Sequence, residues 1–211
     1  MVKKFLLILT SIFLVSCASS KFESAFSPVY VTNSAKFAIL PPSAMSGNLD
    51  GLQKMSAAFG KQSFDAEIFV VSDQEQLSMT ILNEFGTTMA SLFYDGASLD
   101  FESGVFPKNL KAEYIVADFQ FCLYNAGELK SALEKIGVDF EESIFCPAED
   151  RIGTVVTRTL SQKGKIISKI TKNYAKSEQT GAGKSAGEKL HSIRYENFLR
   201  GYSYELTGVA E

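Results

Sequence analysis

The sequence predicts an α+β protein with one large antiparallel sheet and two short helices. Three observations support this class: short β-prone segments alternate with turn residues up to residue 102, helical periodicity replaces them from residue 112, and strand character returns after residue 137. Connections between the first strands are too short for a crossover helix, so neighbouring strands are expected to run antiparallel. A sheet of about ten strands is large enough to curl.

The first five predicted strands follow one another in meander order. Asp95-Gly96 is the strongest hairpin signal among their connections, since a type I′ turn requires positive φ at both central positions. The strands are expected over residues 52–59, 63–71, 76–84, 87–94 and 98–102.

Two consecutive amphipathic helices are predicted next. In the first, Ile115, Phe119 and Cys122 recur at helical spacing. The second has clear end signals, because Asn125 can cap its N terminus and Gly137 can end it. Five more strands are expected over residues 138–142, 152–160, 165–174, 190–199 and 202–208.

The N terminus has the layout of a cleaved export signal. Lys3 and Lys4 form a basic region, an apolar run over residues 5–15 follows, and Leu14-Val15-Ser16-Cys17 resembles the lipobox of bacterial lipoproteins. The apolar run is much shorter than the roughly 20 residues that span a bilayer. We therefore expect cleavage after residue 16 and acylation of Cys17; an ordinary secretory signal with a coincidental cysteine is the alternative.

The chain is expected to divide into three parts. Residues 1–16 are the predicted lipoprotein signal peptide, residues 17–36 a lipidated tether rich in Ser and Ala, and residues 37–211 the folded domain. The two or three acyl chains of a bacterial lipoprotein would hold the mature protein on a membrane surface essentially permanently.

Composition and motifs argue against most classes of function. The formal net charge of −3 disfavours nucleic acid, whose phosphates require basic clusters. His191 is the only histidine, no Gly-x-Ser-x-Gly motif is present, and the cysteines cannot complete a usual zinc site. Gly181-Ala182-Gly183-Lys184-Ser185 is not a P-loop, because Glu178 stands where that motif needs glycine. We expect a protein that is not an enzyme and has no cofactor or metal ion.

Cys122 and Cys146 remain after the lipid-bearing cysteine, and two interpretations of them stay open. In an oxidising compartment an even pair can form a disulfide. Cys122 lies in an apolar helix, however, and such a position is typical of a buried free thiol.

The predicted strands carry apolar residues on both faces, whereas a half-buried strand alternates. One face can pack on the helices while the other lines a cavity or a second layer, and Phe- and Met-rich walls suit flexible acyl chains. An ordinary two-layer core is the alternative. The candidate ligand-binding residues are Phe64, Ile68, Met79, Ile81, Leu92, Phe93, Ile115 and Phe119.

Phe85 lies at a predicted hairpin tip. An aromatic side chain exposed on a turn can contact a bilayer or a partner protein, although turns also fold such side chains back over the core. Phe85 is therefore the candidate membrane or partner contact.

Several motifs of this chain occur together in one known family. They are Gln62-Ser63-Phe64-Asp65-Ala66, Phe85-Gly86, Tyr94-Asp95-Gly96, Tyr114-Ile115-Val116-Ala117-Asp118-Phe119-Gln120-Phe121, Tyr195-Glu196-Asn197-Phe198 and Gly201-Tyr202-Ser203-Tyr204. With these motifs, residues 49–208 resemble the bacterial lipoproteins grouped as domain of unknown function 3261. Two departures are Tyr124-Asn125, where members often have Trp-Pro, and a longer insert around Cys146.

The resemblance implies a fold like that of LolA and LolB, the periplasmic lipoprotein carrier and its outer-membrane receptor. That fold is a single curved, open antiparallel β half-barrel, here of about 10–11 strands, with two short helices packed on its concave side. Family members offer no catalytic residues to carry over. Ala18 after Cys17 resembles an outer-membrane sorting signal, which implies the periplasmic face of the outer membrane.

The function implied by the resemblance is to bind or accept a lipid or an acylated ligand in a hydrophobic cavity, with a link to the export of aryl polyene or fatty-acid-like products. The expected partners are the membrane, through the N-terminal lipid, the acylated ligand and a periplasmic LolA-like carrier. We expect a monomer that does not bind nucleic acid. The main alternative is an accessory or scaffold lipoprotein that binds another envelope protein; an enzyme acting on lipid-linked substrates is a third class.

Overall fold

The computed structural model describes residues 24–106, 110–147, 153–176 and 188–208. The predicted signal peptide and its lipobox, with Cys17, lie outside these residues, as do Glu178 and the segment 181–185. Two short strands, β1 (Val29–Tyr30) and β2 (Lys36–Phe37), pair with each other and precede a 3₁₀ turn at Pro42–Ala44.

Within the described residues, ten further strands and two helices follow. The first five strands are β3 (Leu49–Phe59), β4 (Gln62–Ser72), β5 (Leu77–Leu82), β6 (Thr88–Tyr94) and β7 (Leu99–Ser103). The helices are α1 (Ala112–Leu123) and α2 (Ala126–Glu134). The last five strands are β8 (Asp139–Phe145), β9 (Val155–Gln162), β10 (Lys165–Lys176), β11 (Glu188–Asn197) and β12 (Tyr202–Gly208).

The ten strands form one antiparallel sheet in the order β7-β6-β5-β4-β3-β12-β11-β10-β9-β8. Each group of five is a meander, and the two meanders join where β12 pairs with β3, with Tyr202 opposite Phe59 and Leu206 opposite Met55. β7 and β8 are the edges, so the sheet is open. The predicted α+β class, with about ten antiparallel strands and two short helices, is confirmed.

Two hairpins differ in how their turns are built. Lys163 and Gly164 join β9 to β10 with φ of 53° and 74°, as a type I′ turn requires. The hairpin predicted at Asp95-Gly96 is present, but its loop extends to Ser98, and the Asp95 carboxylate accepts backbone hydrogen bonds from Ala97 and Ser98 at 2.8 and 2.6 Å. The predicted type I′ turn is wrong there, because a longer loop stabilised by an aspartate side chain takes its place.

The two helices have different environments. The Asn125 side chain caps α2 by accepting hydrogen bonds from the backbone of Gly127 and Glu128 at 2.8 and 3.3 Å, as predicted. α2 packs on the edge strand β8, whereas α1 contacts β1, β7, β10 and β11. Among the described residues, no helix combines the length and the apolar character needed to span a bilayer.

The folded part begins before residue 37. Val29, Val31 and Ala35 are buried in the core, and the ring of Phe37 packs on Phe121 of α1 with centroids 5.1 Å apart. Residues 24–36, predicted to be part of the tether, therefore contribute to the fold. Sparse periodicity concealed this, because an irregular segment can bury single side chains without a repeating pattern.

Candidate functional site

A cavity of about 720 Å³ lies between the sheet and α1. Eight strands of the sheet border it, together with α1 and residues 27–31 of the N-terminal segment. Since one face of eight strands borders the same space, the sheet must curve around it. Among the described residues, α2 contributes no lining side chain, so the cavity lies beneath one helix rather than two.

The wall formed by β3 to β7 is apolar. Strand alternation explains this: in β5 the buried residues are Leu77, Met79 and Ile81, while the residues between them are partly exposed. Aromatic rings extend the wall toward solvent in a chain of contacts with centroid separations of 6.1 to 6.3 Å. The rings are those of Phe59, Phe64, Phe106 and Phe101.

All of the predicted ligand-binding residues except Phe93 border the cavity. Those that do are Phe64, Ile68, Met79, Ile81, Leu92, Ile115 and Phe119. Leu92 faces the cavity, so its neighbour Phe93 points to the opposite face of the sheet, where it lies across from Ser78 and Asp100. Because β6 carries apolar residues on both faces, its sequence does not show which of them face the cavity.

The wall formed by β10 to β12 is aromatic and polar. Tyr195 packs against both Tyr204 and Tyr202, with ring centroids 5.2 and 5.8 Å apart. Ser168 and Asn197 also border the cavity on this side. The cavity therefore has an apolar wall from the first meander and a polar wall from the second.

Asp118 of α1 completes the polar wall. The Tyr202 hydroxyl donates a hydrogen bond of 2.6 Å to Asp118 Oδ2. Burial raises the pKa of Asp118 to about 7, although the hydroxyls of Tyr202 and Tyr195 act in the opposite direction. Asp118 lies deep in the molecule but is not fully buried, and it borders the cavity.

Among the described residues that border the cavity, Asp118 is the one whose pKa lies near neutrality. Burial lowers the pKa of the nearby Lys172 on β10 to about 8, but Lys172 does not border the cavity. Burial is the largest cause of the raised pKa values of Tyr195, Tyr202 and Tyr204, whose hydroxyls stay protonated. Burial also raises the pKa of Cys122, which lies 3.5 Å from the Tyr204 hydroxyl, to about 12.

Hydrogen bonds join these groups into one network. Asn197 Nδ2 donates to the Tyr195 and Tyr202 hydroxyls at 3.3 and 3.4 Å, and the Ser168 and Tyr195 hydroxyls lie 3.3 Å apart. We call Asp118, Ser168, Tyr195, Asn197 and Tyr202 the polar patch. It holds fixed hydrogen-bonding groups beside an apolar space, which is the usual construction of a specific ligand pocket.

The sequence did not identify the polar patch. One signal was available: Asp118 is the single charged residue in an otherwise apolar and amide-containing stretch of α1 from residue 114 to residue 123. The tyrosines appear in the family motifs, but their partner in α1 is not visible without the fold.

The remaining candidate residues are the two cysteines, His191 and Phe85. Cys122 and Cys146 are both free, the first buried and the second exposed, so the structure has no disulfide between them. His191 is exposed on β11, and Phe85 is 82% exposed in the β5–β6 turn. Within the described ranges, no group of three His, Cys, Asp or Glu side chains is placed to hold a metal ion.

Fold and cavity define an α+β protein whose open antiparallel sheet surrounds an apolar cavity with one polar wall. Residues 50–209 match the model of a family described as "Protein of unknown function (DUF3261)", and the chain belongs to this family. The matched segment contains both helices and almost all of the ten-stranded sheet, but not β1 and β2. Comparison with curated proteins gave no match.

Proposed function

We propose that this protein is an outer-membrane lipoprotein with a LolA/LolB-like half-barrel that binds or accepts a lipid or an acylated ligand in its cavity. The cavity carries the proposal: its volume of about 720 Å³ falls in the range of roughly 300–1,000 Å³ that small-ligand pockets occupy. Its walls are mainly apolar side chains of the sheet. An extended hydrocarbon chain is the simplest ligand for such a surface.

Flexible side chains in the apolar wall support this choice of ligand. Met55 and Met79 can adapt to chains of different shape because an unbranched thioether side chain has several rotatable bonds. The lining also includes exposed residues, among them Phe59, Lys111 and Arg200, so a ligand has a route in from solvent.

The anchor would place the cavity close to a membrane. Residues 27–31 border the cavity, and acylated Cys17 would precede Ser27 by a segment that reaches at most roughly 35 Å when fully extended. A cargo could therefore pass between the cavity and the bilayer while the protein stays anchored. The proposed partners are the membrane and a periplasmic LolA-like carrier, with aryl polyene or fatty-acid-like products as candidate cargo.

Native mass spectrometry of the mature protein, purified without detergent and then offered a fatty acyl probe, tests ligand binding. Ala90 borders the cavity, so the variant Ala90→Phe should fill part of the space and reduce the fraction of protein that carries ligand. The control Thr80→Phe adds the same ring on the face of the sheet away from the cavity and should leave that fraction unchanged. Repeated absence of any bound or loadable acyl ligand in the wild-type protein would contradict the proposal.

The anchor needs its own test, because it rests on the lipobox. Cys17→Ser should move the protein from the membrane fraction to the soluble periplasmic fraction, and the mass of the wild-type mature protein should include acyl chains on Cys17. A wild-type protein that is cleaved but carries no lipid would refute the lipoprotein assignment while leaving the ligand proposal open to its separate test.

One observation favours the alternative of an accessory lipoprotein that binds another envelope protein. Ile144 and Phe145 on the edge strand β8 are 64% and 67% exposed, and an edge strand can pair with a strand of a partner. If this alternative holds, Ile144→Lys with Phe145→Lys should fail to restore the phenotype of a deletion strain, while its ligand loading is unchanged. If ligand binding is the function, Ala90→Phe should fail to restore that phenotype and the β8 variant should restore it.

A further inference from the structure

We propose that the polar patch selects ligands whose headgroup carries a protonated primary amine, with the ammonium group bound at Asp118 and the hydrocarbon chain lying on the apolar wall. This selectivity rests on the proposed function, since it names the chemical class of ligand for the same cavity. Ligand binding is possible without it, so the two statements can fail separately.

The hydrogen-bonding capacity of Asp118 supports an incoming donor. A carboxylate offers about four acceptor positions, and the hydroxyls of Tyr202 and Tyr195 can fill at most two of them. The amide of Asn197 donates to these hydroxyls rather than to Asp118. Acceptor capacity is therefore left on a carboxyl group that borders the cavity, and a ligand that supplies N–H donors would use it.

The charge of the patch favours an ammonium group over other headgroups. Asp118 is the only member of the patch that ionises near neutrality, and its carboxylate would repel the carboxylate of a fatty acid in this poorly solvated position. A hydroxyl headgroup could donate a hydrogen bond to this carboxylate but, being neutral, would add no ion pair to it. Burial makes the charged form of Asp118 unfavourable, which is why its pKa is raised. A cationic ligand would supply a positive charge beside the carboxylate and so stabilise its charged form.

A quaternary ammonium group fits less well. It has no N–H donor, so it would depend on the faces of aromatic rings. The Tyr195 ring packs on Tyr202 and Tyr204, which occupies the faces that an aromatic cage would need. The patch is therefore built for hydrogen bonding rather than for cation–π contact.

Equilibrium binding of a matched probe series tests this selectivity. The probes are dodecylamine, dodecanol, dodecanoic acid and dodecyltrimethylammonium, each below its micelle concentration and at pH 8, where Asp118 is mostly charged and an alkylamine, with a pKa roughly that of lysine, is protonated. We expect the wild-type protein to bind dodecylamine about tenfold or more tightly than dodecanol, because the ammonium group adds an ion pair to the hydrogen bond that either headgroup can donate to Asp118.

Two variants assign the preference to the patch. Asp118→Asn keeps a similar shape and an acceptor for Tyr202 but removes the charge, so it should bind dodecylamine and dodecanol about equally, with the larger loss of affinity for dodecylamine. Asp100→Asn makes the same change at an exposed aspartate that does not border the cavity and should keep the dodecylamine preference. A thermal melt of each variant establishes that it is folded.

The outcomes separate the two proposals. Equal binding of dodecylamine and dodecanol by the wild-type protein, or an unchanged dodecylamine preference in Asp118→Asn, overturns the amine selectivity and leaves the acyl cavity intact. Binding of none of the four probes by the wild-type protein counts against the proposed function itself. A folded Asp118→Asn that loses all probes equally also overturns the selectivity, because the patch would then be structural.

The amine can belong to a phospholipid or to a simpler amphiphile. Lysophosphatidylethanolamine and lysophosphatidylcholine of equal chain length distinguish these sources, since they differ in the methylation of the nitrogen. Tighter binding of the ethanolamine lipid supports a phospholipid headgroup at the patch. Failure of both lipids to bind, with dodecylamine still preferred, supports a smaller amine without a phosphate.

Discussion

The side chain of Gln120 and the backbone of Leu40 exchange two hydrogen bonds, as neighbouring strands do. Gln120 Nε2 donates to the Leu40 carbonyl at 2.7 Å, and its Oε1 accepts from the Leu40 N–H at 2.9 Å. Gln120 is completely buried in α1. This pair attaches the N-terminal segment to the helix that covers the cavity.

Replacing Gln120 by leucine should lower the free energy of unfolding by about 1–2 kcal/mol, because the partly buried Leu40 N–H loses its acceptor. The Leu40 carbonyl keeps a donor, the Tyr94 hydroxyl at 2.8 Å, so the loss should come from one unsatisfied group rather than two. Urea denaturation measures the change. The control Gln62→Leu, at an exposed position, should alter stability by less than about 0.5 kcal/mol; equal losses would contradict the role of the pair.

The ion pair between the buried Arg158 and the solvent-accessible Glu142 is expected to stabilise the end of α1. Arg158 Nε lies 2.6 Å from Glu142 Oε2, and its Nη1 donates to the carbonyls of Phe121 and Cys122 at 2.9 and 3.1 Å. Glu142→Ala would leave the buried guanidinium without its carboxylate and should lower the free energy of unfolding by about 1–2 kcal/mol, since solvent already screens part of the interaction.

The adjacent Glu141 supplies the control for that prediction. It lies next to Glu142 on the same strand, but no ion pair of Glu141 occurs in the part of the chain that the structure describes. Glu141→Ala should therefore change stability by less than about 0.5 kcal/mol in the same denaturation experiment. A small effect of Glu142→Ala would mean that the helix carbonyls alone satisfy Arg158.

Asp118 should make stability depend on pH between about 4 and 7. Its folded-state pKa of about 7 lies above the ordinary value of 3.8, so the native protein binds more protons than the unfolded chain in this interval, and stability should fall as pH rises through it. Above pH 7 this contribution levels off. Relative to Asp118→Asn, the wild-type protein should lose about 2–4 kcal/mol across the interval.

Thermal melts of both proteins from pH 4 to pH 9 measure that difference, and the variant cancels the contributions of all other titrating groups. Parallel pH profiles for the two proteins would show that Asp118 is not held in the protonated form near neutrality.

The two free cysteines should differ strongly in reactivity. Exposed Cys146 should react with a thiol reagent as fast as a model thiol, whereas Cys122 is buried and has a raised pKa of about 12, so it should react only when the protein opens. Titration of the unfolded mature protein without reductant should find both thiols. Cys146→Ser should lack the fast phase, and a single slow phase in the wild-type protein would contradict the predicted difference.

Local chemistry explains which parts of the fold were predictable. The cap at Asn125 and the turn at Lys163-Gly164 depend on side chains and φ angles within a few residues. The turn type at Asp95 was predicted wrongly, and the sequence did not indicate the burial of Val29, since a side-chain hydrogen bond and single irregular contacts leave no periodic pattern. Phe93 does not border the cavity, because neighbouring residues of a strand point to opposite faces of the sheet.

From the sequence alone came the order of strands and helices, the family motifs and the expectation of an acylated Cys17, all of which depend on short stretches of chain. Only the tertiary structure decided that β12 pairs with β3, that one helix rather than two covers the cavity, and that Asp118 meets Tyr202, 84 residues away. Such contacts join residues far apart in the chain, so no local periodicity encodes them. They exist only once the two meanders have paired to form one sheet.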